Sequence, residues 1–394
     1  MKLVSQMVTF VFVLGLLTAS LTASAQTRRR AEPASHRYLM YVGTYTVRLS
    51  KGIYVYQFKG GRLTPTATPI LAAETTNPSF LAIDPTRRYL YAVNETEDYQ
   101  GHKTGGVSAF RIDRNSGTLT FLNEVPSGGT DPCYVALDHQ GRHVLVANYT
   151  SGSVSVFPVL PDGRLGKATA FVQDHGHSVN PERQEGPHAH DISLSPDGRF
   201  VLVADLGLDQ LLVYHYDAAH GTLTPNTPPL ARVVPGSGPR HFVFDPSGKF
   251  VYLLSEVGST ITVFEYTAQA GTLHEIQSLS ALPDGFKGHN DAAEIAIGRS
   301  GRFLYTSNRG DDSIMVFAVN PARHTLKVVA HVPTLGKTPR NFAIDPSGNY
   351  LLAANQDSDN IVVYKIDPKT GIPVPTGQVV EVSSPVCLTF TPVQ

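Results

Sequence analysis

Residues Gly236–Glu256 read GSGPRHFVFDPSGKFVYLLSE. Two apolar runs, HFVF and FVYLL, flank DPSGK, a segment built from turn-forming residues. Strand, turn, strand is the local reading. Two residues do not belong to that reading. Arg240 stands just before the first run and Glu256 just after the second, in a stretch otherwise made of Val, Phe, Leu and Tyr.

The hairpin is one copy of a repeat. Matching turns are DPTRRY from Asp84, DHQGRH from Asp138, SPDGRF from Ser195, GRSGRF from Gly298 and DPSGNY from Asp345, with a truncated copy, TFTPVQ, around Thr391. Successive spacings are 54, 57, 50, 53, 47 and 46 residues. A fixed period near 50 residues marks a repeat architecture. Each copy has a short apolar segment before the turn, such as YVALD, and a longer one after it, such as HVLVAN. A third run follows, such as TITVFEYT, and then a variable segment often containing GTL or GRL. Four strands per unit at this period imply an all-β, seven-bladed β-propeller. The seventh copy stops after one strand. YLMYVGTYT and GIYVYQF near the N-terminus resemble the missing second and third strands, so the ring is expected to close with a blade shared by both termini.

Bulk composition agrees. Only 16% of the 394 residues are charged, against 34 Gly and 28 Pro, which suits many short strands joined by tight turns and suits a long coiled coil poorly. The formal net charge of −1 supplies no global field toward nucleic acid or an anionic membrane. At the N-terminus, Lys2, the apolar run MVTFVFVLGLL and the small-residue site Ala23-Ser24-Ala25 have the layout of a secretory signal peptide. The expected organisation is a signal peptide over 1–25, a disordered leader over 26–37 and one propeller domain over 38–394. The mature chain is expected to be exported, periplasmic or secreted, monomeric, and bound to neither membrane nor nucleic acid. Cys133 and Cys387 lie in apolar segments far apart in sequence and read as buried free thiols.

Because the turns align without gaps, equivalent positions form columns. Five residues before each turn stand Ser79, Cys133, His190, Arg240, Ala293, Arg340 and Val386; eleven after it stand Glu95, Tyr149, Leu206, Glu256, Arg309 and Gln356. Just before the second column runs a polar series that includes Asn148. In a propeller such columns ring the central axis, so Arg240 and Glu256 read as one blade's share of a charged concave site. A ring of polar groups that only solvates a channel is the competing explanation for any one of them. Convergence from four blades favours a binding site.

At these residues the chain resembles a known family. GPHAHDISLSPDGRFVLVADLG, GPRHFVFDPSGKFVYLLSE, GRFLYTSNRGDDSIMVF and PRNFAIDPSGNYLLAANQDSDNIVVY look like the lactonase propellers, which include the seven-bladed 6-phosphogluconolactonases. A fungal muconate-lactonising enzyme is similar in fold. The resemblance runs from YVGTYT to the end and implies that the family's cleft residues map onto His190, Arg240, Glu256 and Arg309. It implies hydrolysis of a sugar-acid lactone, without cofactor. Such a reaction needs a base to activate water, which His190 or Glu256 would supply. It also needs cationic groups at the carbonyl oxygen, which Arg240 and Arg309 would supply. Arg340, His188, His241, Asn148 and Glu95 are expected to contact the substrate. A muconate-type cycloisomerase would use the same anion clamps, and an exported binding scaffold would share the blades but has no need of the converging charges.

Weaker patterns point nowhere else. HGH (His175, His177) and HAH (His188, His190) have alternate-residue spacing but no third ligand at a recognisable spacing, so no metal is expected. GSGPR lacks the strand–helix setting of a phosphate loop, and no G-x-S-x-G elbow is present.

Overall fold

The recurring turn residue explains why the hairpins recur. In the computed structural model, which describes residues 37–63 and 70–393, Asp245 Oδ1 accepts the amides of Lys249 at 2.9 Å and Phe250 at 3.0 Å. Asp84 and Asp345 do the same for their turns. Each carboxylate thus satisfies two amides that the tight turn leaves without a strand partner. The fourth turn residue takes a positive φ, at Gly248 (68°) as at Gly348 (76°), and in the first copy Arg87 is forced into it at 61°.

Each hairpin forms the two inner strands of a four-stranded antiparallel sheet. Six such sheets follow in chain order, for example Pro239–Phe244, Phe250–Ser255, Thr260–Thr267 and Thr272–Ser280. The seventh is built from both ends of the chain. Pro385–Pro392 is its inner strand and pairs with Arg37–Thr44, which pairs in turn with Gly52–Lys59. The Val393 amide also bonds the Arg37 carbonyl at 2.9 Å, so this strand starts one residue before the expected domain boundary. The expected signal peptide and the rest of the leader lie outside the described residues.

Inner strands touch one another in sequence around the molecule, and Pro385–Pro392 touches Leu81–Ile83, which closes the ring. Numbered from Leu81–Ile83 as blade 1, the closing sheet is blade 7. The apolar core consists of seven clusters among the described residues, one at each blade–blade interface. Second strands such as Tyr89–Asn94 and Phe200–Asp205 are buried along their whole length. Both of their faces meet a neighbouring blade, which is why they read as continuous apolar runs rather than alternating ones. Outer strands have one wet face, and burial alternates in the short outer strand Ala170–Gln173. Cys133 and Cys387 are buried and free, as expected.

Candidate active site

The arginine and histidine column owes its orientation to a feature absent from the sequence reading. In blade 4, Pro239 pairs with Ser255 and His241 with Leu254, so Arg240 has no partner across the strand. The same skip isolates His190 in blade 3, Arg340 in blade 6 and Cys133 in blade 2. A β-bulge of this kind re-aims side chains locally. It breaks the ordinary alternation, so that the neighbours Arg240 and His241 both line the channel, as do Arg340 and Asn341.

Glu256, fixed just beyond Phe250–Ser255 by its amide on the Gly238 carbonyl, is the centre of the cluster. Its Oε2 lies 2.8 Å from Arg240 Nε and 2.8 Å from Arg309 Nη2, and its Oε1 lies 2.5 Å from Arg183 Nη2. His190 Nε2 stands 3.9 Å from Oε2. The four residues expected from the columns, His190, Arg240, Glu256 and Arg309, are therefore brought together from blades 3, 4 and 5. They lie at the channel end opposite the DPSG-type turns.

Electrostatics follow from this packing. Burial alone would raise the Glu256 carboxyl, but Arg309, Arg240, His190 and Arg183 hold it well below the usual carboxylate range. Burial, helped by Arg240 and His241, pushes His190 well below the ordinary histidine value, so it is neutral. Arg240 is lowered to about 10 by burial and by the Arg309 and Arg340 charges, yet it remains a cation at neutral pH. Its Nη1 donates to the Ala293 carbonyl and contacts the His241 ring. His241 sits 3.2 Å from Glu294, whose carboxyl burial raises to about 7 and whose other oxygen accepts the Asn341 amide at 2.5 Å. Cys133 Sγ lies 3.7 Å from His190 Nδ1; burial drives that thiol's pKa far up, so it stays protonated.

Arg183 was not visible as a site residue. It comes from the connection between Gln173 and Ala189, where Asn180 Oδ1 accepts the Glu182 and Arg183 amides and Gln184 Nε2 donates to the Leu206 carbonyl. Besides Glu256 it reaches Asp291 at 3.2 Å. The one sequence signal was the 57-residue spacing between Asp138 and Ser195, the longest in the chain. His188 joins the rim: its ring stacks on Tyr149 (4.6 Å, 17°) and its Nδ1 donates to the Tyr149 carbonyl.

The remaining expected contacts divide. Glu95 and Arg340 line a small cavity of about 10 Å³ in the channel, room for one water-sized group, together with Arg240 and His241. Asn148 is not brought to it. Its amide donates to Ser153 Oγ inside its own blade, and its polar column serves the strand connections, as Asn308 does through the Ala281 carbonyl. His175 and His177 are exposed and do not converge with the HAH pair. Among the described residues no group of three or more His, Cys, Asp or Glu is placed to hold a metal ion.

A closed seven-bladed ring with a neutral histidine and three guanidiniums gathered on one buried carboxylate defines a propeller enzyme. The particular family follows from comparison with known proteins. Residues 39–390 match the profile described as Lactonase, 7-bladed beta-propeller, and the chain belongs to that family. The 6-phosphogluconolactonase of Bacillus subtilis is 39% identical over 354 residues, 90% of this chain and 98% of its own length. Among solved structures, a putative 6-phosphogluconolactonase from Bacteroides fragilis superposes with a TM-score of 0.84 at 37% identity, covering 91% of this chain and all of that one. The periplasmic gluconolactonase of Pseudomonas aeruginosa does so with a TM-score of 0.83 at 37% identity and the same coverage.

Proposed function

We propose that the protein is an esterase that opens a sugar-acid lactone, with His190 as the base and the guanidiniums around Glu256 as the oxyanion site. The observation that carries this reading is the convergence of Arg183, Arg240 and Arg309 on Glu256 beside a neutral imidazole. Three cations meet two carboxylates there, Glu256 and Asp291, which leaves a local excess of positive charge for the oxygen that becomes negative. Both Glu256 oxygens are occupied by guanidiniums, so its basicity is low. His190 Nε2 has no charged partner nearer than 3.9 Å and is free to accept a proton.

Water attacks the lactone carbonyl carbon as His190 takes one of its protons. The new imidazolium lies against the Glu256 carboxylate, which stabilises it. The tetrahedral oxyanion faces Arg309 and Arg183, the two guanidiniums of the cluster with most solvent access. When the ring C–O bond breaks, His190 returns the proton to the leaving alkoxide. The product is an open hydroxy acid, whose ionisation releases one proton to solvent. Base catalysis of this kind contributes roughly 10²–10⁴-fold.

Export is part of the same proposal, supported by the signal-peptide layout of residues 1–25 and by a relative described as periplasmic. Mass spectrometry of the exported protein is expected to give a mature terminus near Gln26; an intact Met1 terminus refutes it. The activity is tested by proton release at constant pH, with aldonolactones and open-chain esters as substrates and the buffer rate subtracted. Turnover of lactones is expected. No rate above buffer with any lactone overturns the reading.

A further inference from the structure

A second carboxylate and arginine line the channel cavity, and they are arranged differently from the Glu256 cluster. Glu95 follows the second strand of blade 1, Arg340 lies on the inner strand of blade 6, and Tyr45 follows the Arg37–Thr44 strand of blade 7. Tyr45 donates its phenol to Glu95 Oε1 at 2.8 Å. Arg340 approaches that oxygen only to 4.0 Å, too far for a hydrogen bond, and its guanidinium lies 5.4 Å from the centre of the Tyr45 ring. Glu95 Oε2 is buried and has no hydrogen-bond partner. Around Glu256 every carboxylate oxygen is met by a guanidinium at 2.8 Å or less. One pair is closed on itself, whereas the other keeps a buried carboxylate oxygen without a donor on a residue that lines the cavity. Arg240, paired to Glu256, also lines this cavity, so the two clusters share a residue.

A carboxylate oxygen without a donor, beside a guanidinium that makes no hydrogen bond to it, has a specific complement. A hydroxyl donates to the carboxylate and accepts from the guanidinium, satisfying both at once. A phosphate monoester offers acceptors only. It would pair with Arg340 but set two or nearly two negative charges against the buried Glu95 oxygen, leaving that oxygen without a donor.

We propose that Tyr45, Glu95 and Arg340 hold the hydroxyl-bearing end of the substrate and select an unphosphorylated aldonolactone over its 6-phosphate. The inference rests on the lactonase reading above and adds its substrate class. The 6-phosphogluconolactonase relatives carry the phosphorylated substrate in their name; this half-site favours the neutral one.

The test compares kcat/KM for glucono-δ-lactone and its 6-phosphate in the wild type and in Glu95→Gln, with the melting temperature of each. The wild type is expected to prefer the neutral lactone by roughly tenfold or more. Glu95→Gln keeps the side chain's shape and removes its charge. It is expected to move the preference toward the phosphate by a similar factor, mainly through KM, because loss of the negative charge relieves repulsion in binding. A change in fold stability alone would lower both substrates together and leave the ratio unmoved. A wild type that prefers the 6-phosphate overturns the inference without any variant, and so does an unchanged ratio in Glu95→Gln. Inactivity of the wild type toward both lactones would instead overturn the lactonase reading on which the inference stands.

Discussion

Replacing Glu256 by Gln isolates the charge that organises the cluster. The substitution keeps the volume but removes the one anion shared by Arg183, Arg240 and Arg309, and it turns a donor toward at least one of them. Removing one partner from a buried ion pair costs about 3–5 kcal/mol, because the other charge is left uncompensated. Unfolding entropy of about 2.1 cal/mol/K per residue, over the 351 described residues, gives roughly 0.7 kcal/mol/K. The melting temperature of the variant should then fall by about 4–7 °C at pH 7. The pH dependence supplies a second check. Because the folded-state pKa of Glu256 is depressed, its contribution is present above the unfolded carboxyl value and is lost as pH falls through the lower folded value. The gap between wild type and variant, read by calorimetry, should persist at pH 5 and close only in stronger acid. A variant melting within about 1 °C of wild type at pH 7, or a gap already gone at pH 5, would refute the claim that Glu256 is held as a buried, ionised hub.

Three further outcomes follow from the same geometry. Arg309→Lys retains the charge but loses the planar fork that spans Glu256 and the Asp291 and Ala292 carbonyls, so KM should rise and kcat fall together in steady-state kinetics. A Cβ at Gly207 would overlap the Gly186 carbonyl, in the connection that carries Arg183; Gly207→Ala should lower kcat/KM by roughly tenfold or more while circular dichroism keeps its β signature. Burial raises the carboxyls of Glu294 to about 7 and Asp191 to about 8, so the folded chain holds protons that the unfolded chain releases. His190 and His241, held neutral in the fold, act in the opposite sense below the ordinary histidine value of 6.5, so stability should decline from there to about pH 8, and Glu294→Gln should flatten that decline in melting-temperature measurements.

Much of this was legible because the repeat is written in side chains that do local work. The turn Asp, the Gly that follows it and the fully buried second strand recur for reasons internal to each hairpin, so seven units and the shared closing blade could be counted from the sequence. Two columns, one holding His190 and Arg240 and the other Glu256 and Arg309, pointed to one site because equivalent positions of the inner strands ring the propeller axis. The bulge at His190, Arg240, Arg340 and the other shifted column positions was not legible. It is a property of backbone register, and without it His241 and Glu294 would alternate away from the channel. Arg183 escaped because it lies in a connection outside the repeat, and column logic is silent about insertions. Asn148 misled for the opposite reason: its column is regular, but the regularity serves the strand connections of each blade.

The central claim, that a neutral His190 beside the Glu256 cluster opens the lactone, is tested most directly by the proton-release rate of His190→Gln under conditions where the variant melts with the wild type. The account predicts a loss of roughly 10²–10⁴-fold in kcat/KM. It also predicts that the acid limb of the wild-type profile lies below the ordinary histidine value of 6.5. A variant that hydrolyses the lactone at a near-wild-type rate would contradict it.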